Sequence, residues 1–449
     1  MGRHSHTRSL GLWMNGAYVG TWSLASHAPD TLQYDLAWTQ SEQGRPLSLS
    51  LPFTPGNAPH RGNKVRAYFE NLLPDSKDTR DRLARRFNTG STAAFELLAQ
   101  IGRDCVGALE ILPAGAASSG TSTLQAEPLS EAQVAQVLRN TTTPNAMGWA
   151  VDGDDLRISI AGAQEKTALL LKDGQWCLPR GSTPTTHIFK LPLGLIGGMK
   201  LDMRDSVENE WLCALILREF GLPVAACRRL LFEDVKALVV ERFDRAWWTH
   251  PSGDSRLIRL PQEDMCQATG IAPEAKYEAD GGPGMDRILD VLDGSITREQ
   301  DRRIFFMAQL LFWMICATDG HAKNFSLFLR PGGRYQLTPL YDVLSAYPVL
   351  GDGPGKISPF KAKMAMAVRS RNAHWKVRDI LRRHWVALGT RHGVLTDDGR
   401  EVRFLIDDIV ERTPQVIDAV SAQLPAGFPT QVSDTIFDGL RDAAKRLAG

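Results

Sequence analysis

Short alternating runs of apolar and polar residues make residues 10 to about 112 look strand-rich, and runs of period three to four dominate beyond residue 250. "LGLWMNGAYVGTW" is two such alternating runs around Asn15-Gly16, a pair suited to the tight turn of a β-hairpin. "RPLSLSLPF" alternates Leu with Ser, which predicts an extended run with one apolar and one polar face. "VRAYFENLLPDSKDTRDRLARRF" carries helical spacing interrupted at Pro74. The segment 113–130, rich in Ala, Gly, Ser and Thr, reads as a flexible loop or subdomain boundary. After it, "DLRISIAGAQEKTALLLKDGQWCLP" predicts a hairpin across Lys172-Asp173-Gly174, with a small-residue loop ahead of it. "THIFKLP" and "VKALVVERFDR" read as buried strands, and "SVENEWLCALILREFGLPV" as a helix stopped by Gly221 and Pro223. From about 250 onward helices dominate: "MDRILDVLDGS", "REQDRRIFFMAQLLFWMICATD", "VRFLIDDIVERTPQVIDAVSAQL" and the C-terminal "TIFDGLRDAAKRLAG". No internal repeat is visible. The layout is a β-rich front and an α-rich back joined near residue 245.

Composition narrows the class without changing this layout. A chain of 449 residues is too long for one ordinary core, so two or three packed units are expected. With 43% apolar and 23% charged residues it has the balance of a soluble globular protein. A net charge of +1 gives no global pull toward nucleic acid or membrane, so an electrostatic partner would need a local patch. Six scattered cysteines without a CxxC pair suggest buried thiols in a reducing compartment. The N-terminus has no apolar core of signal-peptide length and, with His6 at the sixth position, misses the myristoylation pattern; His4 and His6 read as part of a polar terminus and not as metal ligands. The longest apolar run, Phe305 to Ala317, is too short to span a bilayer. A cytoplasmic protein without a membrane partner is expected.

The chemistry-bearing residues come in four groups, which together meet the needs of a Mg-nucleotide kinase: a cover for the phosphates, a cation for them, magnesium ligands and a base near the acceptor hydroxyl. In "ISIAGAQEK", Ala161-Gly162-Ala163 and Gln164 form a loop of little side-chain bulk whose N–H groups could approach phosphate oxygens. It is not a Walker A loop, because Glu165 replaces the Gly before Lys-Thr and a hairpin follows; a plain β-turn is the alternative. Lys190 lies inside an apolar strand, where its ammonium needs an anion, either phosphate or a structural carboxylate such as Glu210. Glu241 and Phe243, at a strand end by the seam of the two halves, offer backbone to a nucleotide base, or simply form a charged interlobe connection. In "ATDGHAKN", Asp319 and Asn324 are five apart, as are the catalytic-loop Asp and Asn of protein kinases. Asp342 lies 23 residues past Asp319 and could complete a metal site with Asn324; a polar helix cap is the alternative for Asp319 alone.

These blocks also resemble a known family. "RISIAGAQEKTALL", "TPTTHIFKLP", "VERFDR", "LPQEDMCQ", "ATDGHAKNFS", "LTPLYDVLSAYPVL" and, nearer the front, "RPLSLSLP", "NLLPDS" and "IGRDCVGAL" are similar to the HipA-type serine/threonine kinases, the toxin half of HipBA toxin–antitoxin modules. The resemblance runs from about residue 10 to the C-terminus, with departures in the 113–130 loop, at the N-terminal extension and around 365–400. It implies an α/β (α+β), two-lobed protein-kinase-like and PI3-4-kinase-like fold: a β-rich N-terminal subdomain over 1–115, an N-lobe core with phosphate loop and ATP-binding lysine over 130–245, and an all-helical C-lobe over 246–449. It implies Asp319 as the catalytic aspartate, His321 near the phosphates, Asn324 and Asp342 as Mg2+ ligands, and Lys190 on the ATP phosphates. Ala161, Gly162, Ala163 and Gln164 would cover the phosphates, and Glu241 and Phe243 would hold adenine. Ser159 matches the serine that family members phosphorylate on themselves, expelling the phosphate loop; a dianion there would repel ATP. The family's substrates are aminoacyl-tRNA synthetases, glutamyl-tRNA synthetase foremost, and the outcome is translation arrest and persistence. Its antitoxin is a HipB-like helix-turn-helix repressor with which the toxin sits on operator DNA. The basic stretch "RSRNAHWKVRDILRR" (369–383) suits phosphate contacts or a solvated face.

Three readings therefore stand side by side: an active kinase toxin, a nucleotide-sensing co-repressor without important kinase activity, and a Mg-dependent phosphohydrolase. The last has no need of Lys190 or of a serine in the phosphate loop.

Overall fold

In the computed structural model of the chain, residues 7–26, 28–118, 120, 124–142, 164–198, 200–249 and 255–449 are described. His4, His6, Ser159, Ala161, Gly162 and Ala163 lie outside them. The expected first hairpin joins β1 (Arg8–Met14) to β2 (Ala17–Leu24). Its turn holds Asn15 at φ 48° and Gly16 at φ 87°, positive values that match the turn to the right-handed twist of the strands. With β3 (Thr31–Tyr34), β4 (His60–Arg61) and β5 (Leu109–Pro113) they make an antiparallel sheet in the order β4-β3-β2-β1-β5. Leu12, Val19 and Leu32 from the strands form one core with Phe69 and Leu98 from helices Asn63–Glu70 and Ala94–Ile101. Trp22 stacks on Phe69 at 3.7 Å within it. Helix Lys77–Arg86 resumes after the break at Pro74, with Ser76 as its N-cap.

"RPLSLSLPF" is not a strand. Leu47 and Leu51 are buried as the alternation requires. Its polar face, however, is satisfied by the far side of the molecule: Ser48 and Ser50 hydroxyls donate to the Gln267 carbonyl at 3.0 and 2.7 Å, and Leu49 N donates to Glu263 Oε1 at 2.8 Å.

The second sheet takes β6 (Ala126–Pro128), β7 (Lys166–Lys172), β8 (Gln175–Pro179) and β9 (His187–Lys190), then passes a short hairpin of β10 (Gly194–Ile196) and β11 (Leu201–Met203). It is completed by β12 (Cys227–Phe232) and β13 (Val235–Glu241), in the order β12-β13-β9-β7-β8-β6. Helix Glu131–Thr142 buries Val134 and Leu138 against Leu169, Phe189 and Phe232. Helix Ser206–Glu219 packs on β12 and β13 and also touches helices Val402–Ser421 and Thr430–Ala448, so it couples sheet to helices.

Helices dominate residues 246–449, but that part is not all-helical. A hairpin of β14 (Arg245–Thr249) and β15 (Ser255–Arg259) enters it, β16 (Gln262–Asp264), β17 (Ser326–Leu329) and β18 (Tyr335–Leu337) form a small sheet, and β19 (Lys363–Arg369) pairs with β20 (Ala373–Lys376). Around them helices Met285–Leu292, Arg298–Met314, Arg382–Arg391, Val402–Ser421 and Thr430–Ala448 share one large core. Among the described residues no helix is long and apolar enough to cross a membrane.

A buried ionic knot ties the seam. Asp104, from the front, accepts from Arg242 at 3.1 Å, Arg245 at 2.7 Å and Arg259 at 3.3 Å, while Asp244 accepts from Arg242 at 2.8 Å. Burial would raise the Asp104 carboxyl, but the three guanidinium groups outweigh it and hold it well below the usual carboxylate range.

Candidate active site

Lys190 ends β9, and its buried ammonium meets two anions: Glu210 Oε1 at 2.5 Å and Asp342 Oδ1 at 2.6 Å. Glu210, the structural carboxylate offered as one alternative for that anion, comes from helix Ser206–Glu219. The side chains of Lys190 and Glu210 are 8% and 6% exposed and that of Asp342 is 34% exposed, so Asp342 is the open edge of the triad. Burial alone would lower the Lys190 amine, but Asp342 and Glu210 hold it above the usual lysine value. Burial would raise Asp342, yet the Lys190 and Lys166 ammonium groups keep it well below the carboxylate range. Glu210 goes the other way: burial, with the Asp342 charge nearby, pushes it up despite Lys190. Asp342 is therefore the firmer anion of the two. It sits at φ 62°, a left-handed conformation that Asp tolerates better than most residues. Asn324 Nδ2 lies 3.4 Å from its Oδ2. A cavity of about 20 Å³, room for one water, lies beside the triad and is lined by Cys227, Val240 and Tyr341 as well as Glu210 and Asp342.

The apolar run before "ATDGHAKN" is the end of helix Arg298–Met314, buried at every position from Ile304 to Met314. It is the anchor for the loop that follows. Gly320 folds back on it so closely that a Cβ would stand 2.5 Å from the Phe312 ring. His321 N then donates both to Asp319 O at 2.8 Å and to Asn324 Oδ1 at 3.0 Å, closing the turn. Asp319 is left exposed, with Oδ1 accepting from the Tyr277 hydroxyl. The His321 ring is buried, 5.1 Å from that of Tyr277, and its Nδ1 has no partner among the described residues. Burial lowers its pKa in spite of Asp319, so it is a neutral imidazole at neutral pH. The lysine of the loop turns out to be structural: Lys323 Nζ donates to Asp264 Oδ2 at 2.9 Å and to Asn71 Oδ1 at 2.8 Å, pinning the loop to β16 and to the front of the chain.

Glu241 ends β13, with its N–H on Ala226 O at 2.8 Å. Phe243 is half-buried, its ring 5.7 Å from Tyr341 and 5.8 Å from Phe328, and its N–H makes no hydrogen bond among the described residues. Between them Arg242 is locked in the ionic knot, so this connection is rigid. Of the small-residue loop only the end is described. Gln164 Nε2 donates to Leu191 O at 2.6 Å, and Glu165 pairs with Arg82 from the front helix Lys77–Arg86.

With Lys190, Asp342 and Asn324 in contact and Asp319 on a rigid loop, the comparisons with known proteins become decisive. The family model "HipA-like C-terminal domain" matches residues 158–417, and "HipA N-terminal domain" matches residues 10–112. The chain belongs to the HipA family. It is a HipA-type serine/threonine kinase. The putative kinase Y4mE of Sinorhizobium fredii is 31% identical over 92% of this chain and 93% of its own. The serine/threonine-protein kinase toxin HipA of Shewanella oneidensis is 28% identical over 81% of this chain and 79% of its own. The solved Shewanella oneidensis HipA, in a complex with HipB and operator DNA, superposes with a TM-score of 0.76 at 25% identity, covering 98% of this chain and 97% of that one.

Three residues at this HipA site escaped the sequence. Lys166 stands opposite Lys190 in the β7–β9 register. Burial pushes its ammonium down to about 8; Asp342 opposes this and the neighbouring Lys190 charge adds to it. Asp75, from the front of the chain, reaches Lys276 at 2.7 Å. Burial would raise it, but Lys323 and Lys276 keep it low. Tyr277 holds Asp319 from a loop 42 residues upstream. Only Lys166, two residues past Gln164, carried a readable signal: a lysine at the start of a buried strand needs an anion just as Lys190 does. In the basic stretch, Arg369 pairs with Glu278 and Arg382 with Asp407, whereas Arg371, Lys376 and Arg383 make no ion pair among the described residues.

Proposed function

We propose that the chain is a toxin kinase that uses Mg-ATP to phosphorylate a serine of an aminoacyl-tRNA synthetase, glutamyl-tRNA synthetase foremost, arresting translation and growth in the cytoplasm. The observation that carries this reading is the contact of Lys190 with Glu210 and Asp342 at 2.5 and 2.6 Å. A buried ammonium clasped by one inner and one outward-facing carboxylate is a ready-made seat for phosphate oxygens. Asp342 would supply the hard carboxylate oxygens that suit magnesium, being a third exposed with, among the described residues, only Asn324 Nδ2 at 3.4 Å on its Oδ2; Asn324, whose Oδ1 already accepts from His321 N, would add the second lone pair of that oxygen. Mg2+ held there would neutralise charge on the transferring phosphoryl group.

The chain's own residues do the rest. Lys190 holds the triphosphate, joined by Lys166, whose charge an arriving anion would reinforce. Gln164 and the loop Ala161–Ala163 cover the phosphates, and the rigid Glu241–Phe243 connection takes the adenine edge, with Phe243 and Val240 as its apolar floor. Asp319 accepts the proton of the incoming serine hydroxyl. The serine oxygen bonds to the γ-phosphorus as the bond to the β-phosphate oxygen breaks, releasing ADP. His321, neutral and next to Asp319, lines the phosphate side. The same transfer onto Ser159 would place a dianion in the phosphate loop and switch the enzyme off. A HipB-like antitoxin neutralises the toxin and carries it onto operator DNA, where Arg371, Lys376 and Arg383 are the cations left to meet phosphate.

A nucleotide-sensing co-repressor would need the lysine cage but no exposed Asp319 on a loop this tightly built. The test is brief expression followed by mass spectrometry of phosphorylated proteins. A synthetase serine labelled by the wild type and unlabelled by Asp319→Asn is expected. Growth arrest by both proteins, with no synthetase phosphorylated, would favour the co-repressor.

A further inference from the structure

Tyr277 belongs to no motif singled out in the sequence, yet its surroundings are those of a built part. Its main-chain carbonyl accepts from Asp280 N at 3.0 Å and Gly282 N at 2.9 Å, which fixes the loop. The next residue, Glu278, is clasped by Ala367 N at 2.7 Å and Arg369 Nε at 3.0 Å, both from β19. A Cβ at Gly284 would collide with the Glu278 carboxyl, so glycine keeps that seat open. On the other side Lys276 O accepts from Ala322 N at 3.4 Å and Lys276 Nζ pairs with Asp75, joining the loop to the Asp319–Asn324 turn. All of this delivers one hydroxyl to Oδ1 of Asp319.

We infer that Tyr277 is a positioning residue for phosphoryl transfer: its phenol fixes the rotation of the Asp319 carboxylate and occupies Oδ1, leaving Oδ2 as the oxygen that meets the acceptor hydroxyl. The inference rests on Asp319 being the base. An exposed aspartate at the end of a turn otherwise samples several rotamers, and only one presents an oxygen to the acceptor. Burial and the adjacent Asp319 charge both push the phenol up, so it stays a donor across the working pH range. The titratable and charged groups facing the pair are Asp280 on the same loop, Asp75 with Lys276, and beyond them the neutral His321 and Asp342.

The test is Tyr277→Phe, which keeps the ring against His321 and deletes only the hydroxyl. The readout is the single-turnover rate at which γ-labelled Mg-ATP phosphorylates the chain itself, from about pH 5 to 9, with Mg-ATP affinity measured alongside. A hydrogen bond to a charged group is lost, so the rate falls by about 10- to 100-fold. Nucleotide affinity is unchanged, so the whole loss falls on the transfer step. A merely structural role would lower the fraction of chains that bind nucleotide and leave the rate per bound nucleotide unchanged. Should Y277F not fold, Glu278→Gln loosens the seat from outside and lowers the rate per bound nucleotide by a smaller amount. A rate and profile like those of the wild type, while Asp319→Asn is inactive, overturn the role of Tyr277 alone. An active Asp319→Asn overturns the base assignment beneath it.

Discussion

Replacing Lys190 by Met removes the charge on which the site is built while keeping most of the side-chain volume. In the wild type the ammonium satisfies Glu210 and Asp342 at once. Without it, two carboxylates face each other beside a cavity with room for one water. Removing one partner of a buried ion pair costs about 3–5 kcal/mol. Here the figure belongs near the lower end, ~3 kcal/mol, because Asp342 is 34% exposed and can rehydrate, leaving Glu210, at 6%, to bear most of the penalty. The sign with pH follows from Glu210, whose carboxyl is already pushed up by burial. Taking away Lys190 pushes it further, so the variant folds with Glu210 protonated and binds more protons than its unfolded chain. Its deficit is therefore largest near neutral pH and shrinks as the medium is acidified. Denaturant unfolding of wild type and K190M at about pH 5 and 7.5, with Mg-ATP titrations at the higher pH, reads both effects. A variant as stable as the wild type at both pH values, and binding Mg-ATP equally well, would refute the claim that this ammonium is the electrostatic centre of the site.

Two further outcomes follow from the same electrostatics. Because Lys166 titrates at about 8 and gains charge when an anion arrives, Mg-ATP affinity should fall as pH rises through that value. Calorimetry in buffers of different ionisation heat should show proton uptake there, absent in Lys166→Met. Arg242→Met leaves Asp104 and Asp244 short of a guanidinium in the buried knot and should cost about 3–5 kcal/mol in unfolding experiments, with the Glu241–Phe243 connection loosened as well.

What the sequence made legible is local. The hairpin at Asn15-Gly16, the helix break at Pro74 and the turn at Asp173-Gly174 are set by residues adjacent in the chain, whose φ preferences decide the backbone. The need of Lys190 for an anion was equally local, and Glu210, one helix later, is that anion. What escaped lies in long-range pairing. Tyr277 reaches Asp319 across 42 residues, and Lys276 reaches Asp75 across 201, distances at which periodicity is silent. "RPLSLSLPF" kept its alternation, but its polar face is satisfied by the Gln267 carbonyl instead of a neighbouring strand, so the period was real and the element was not. β16, β17 and β18 are three or four residues long, too short to register against the helices around them.

The central claim, that this site moves the γ-phosphate of Mg-ATP onto a serine with Asp319 as base, is tested most directly by labelling the purified chain. Incubated with γ-labelled Mg-ATP, the wild type is expected to take up a single phosphate on Ser159, and Asp319→Asn none, while still binding nucleotide. Equal labelling of both proteins, or nucleotide bound by the wild type with no phosphate ever transferred, would contradict it.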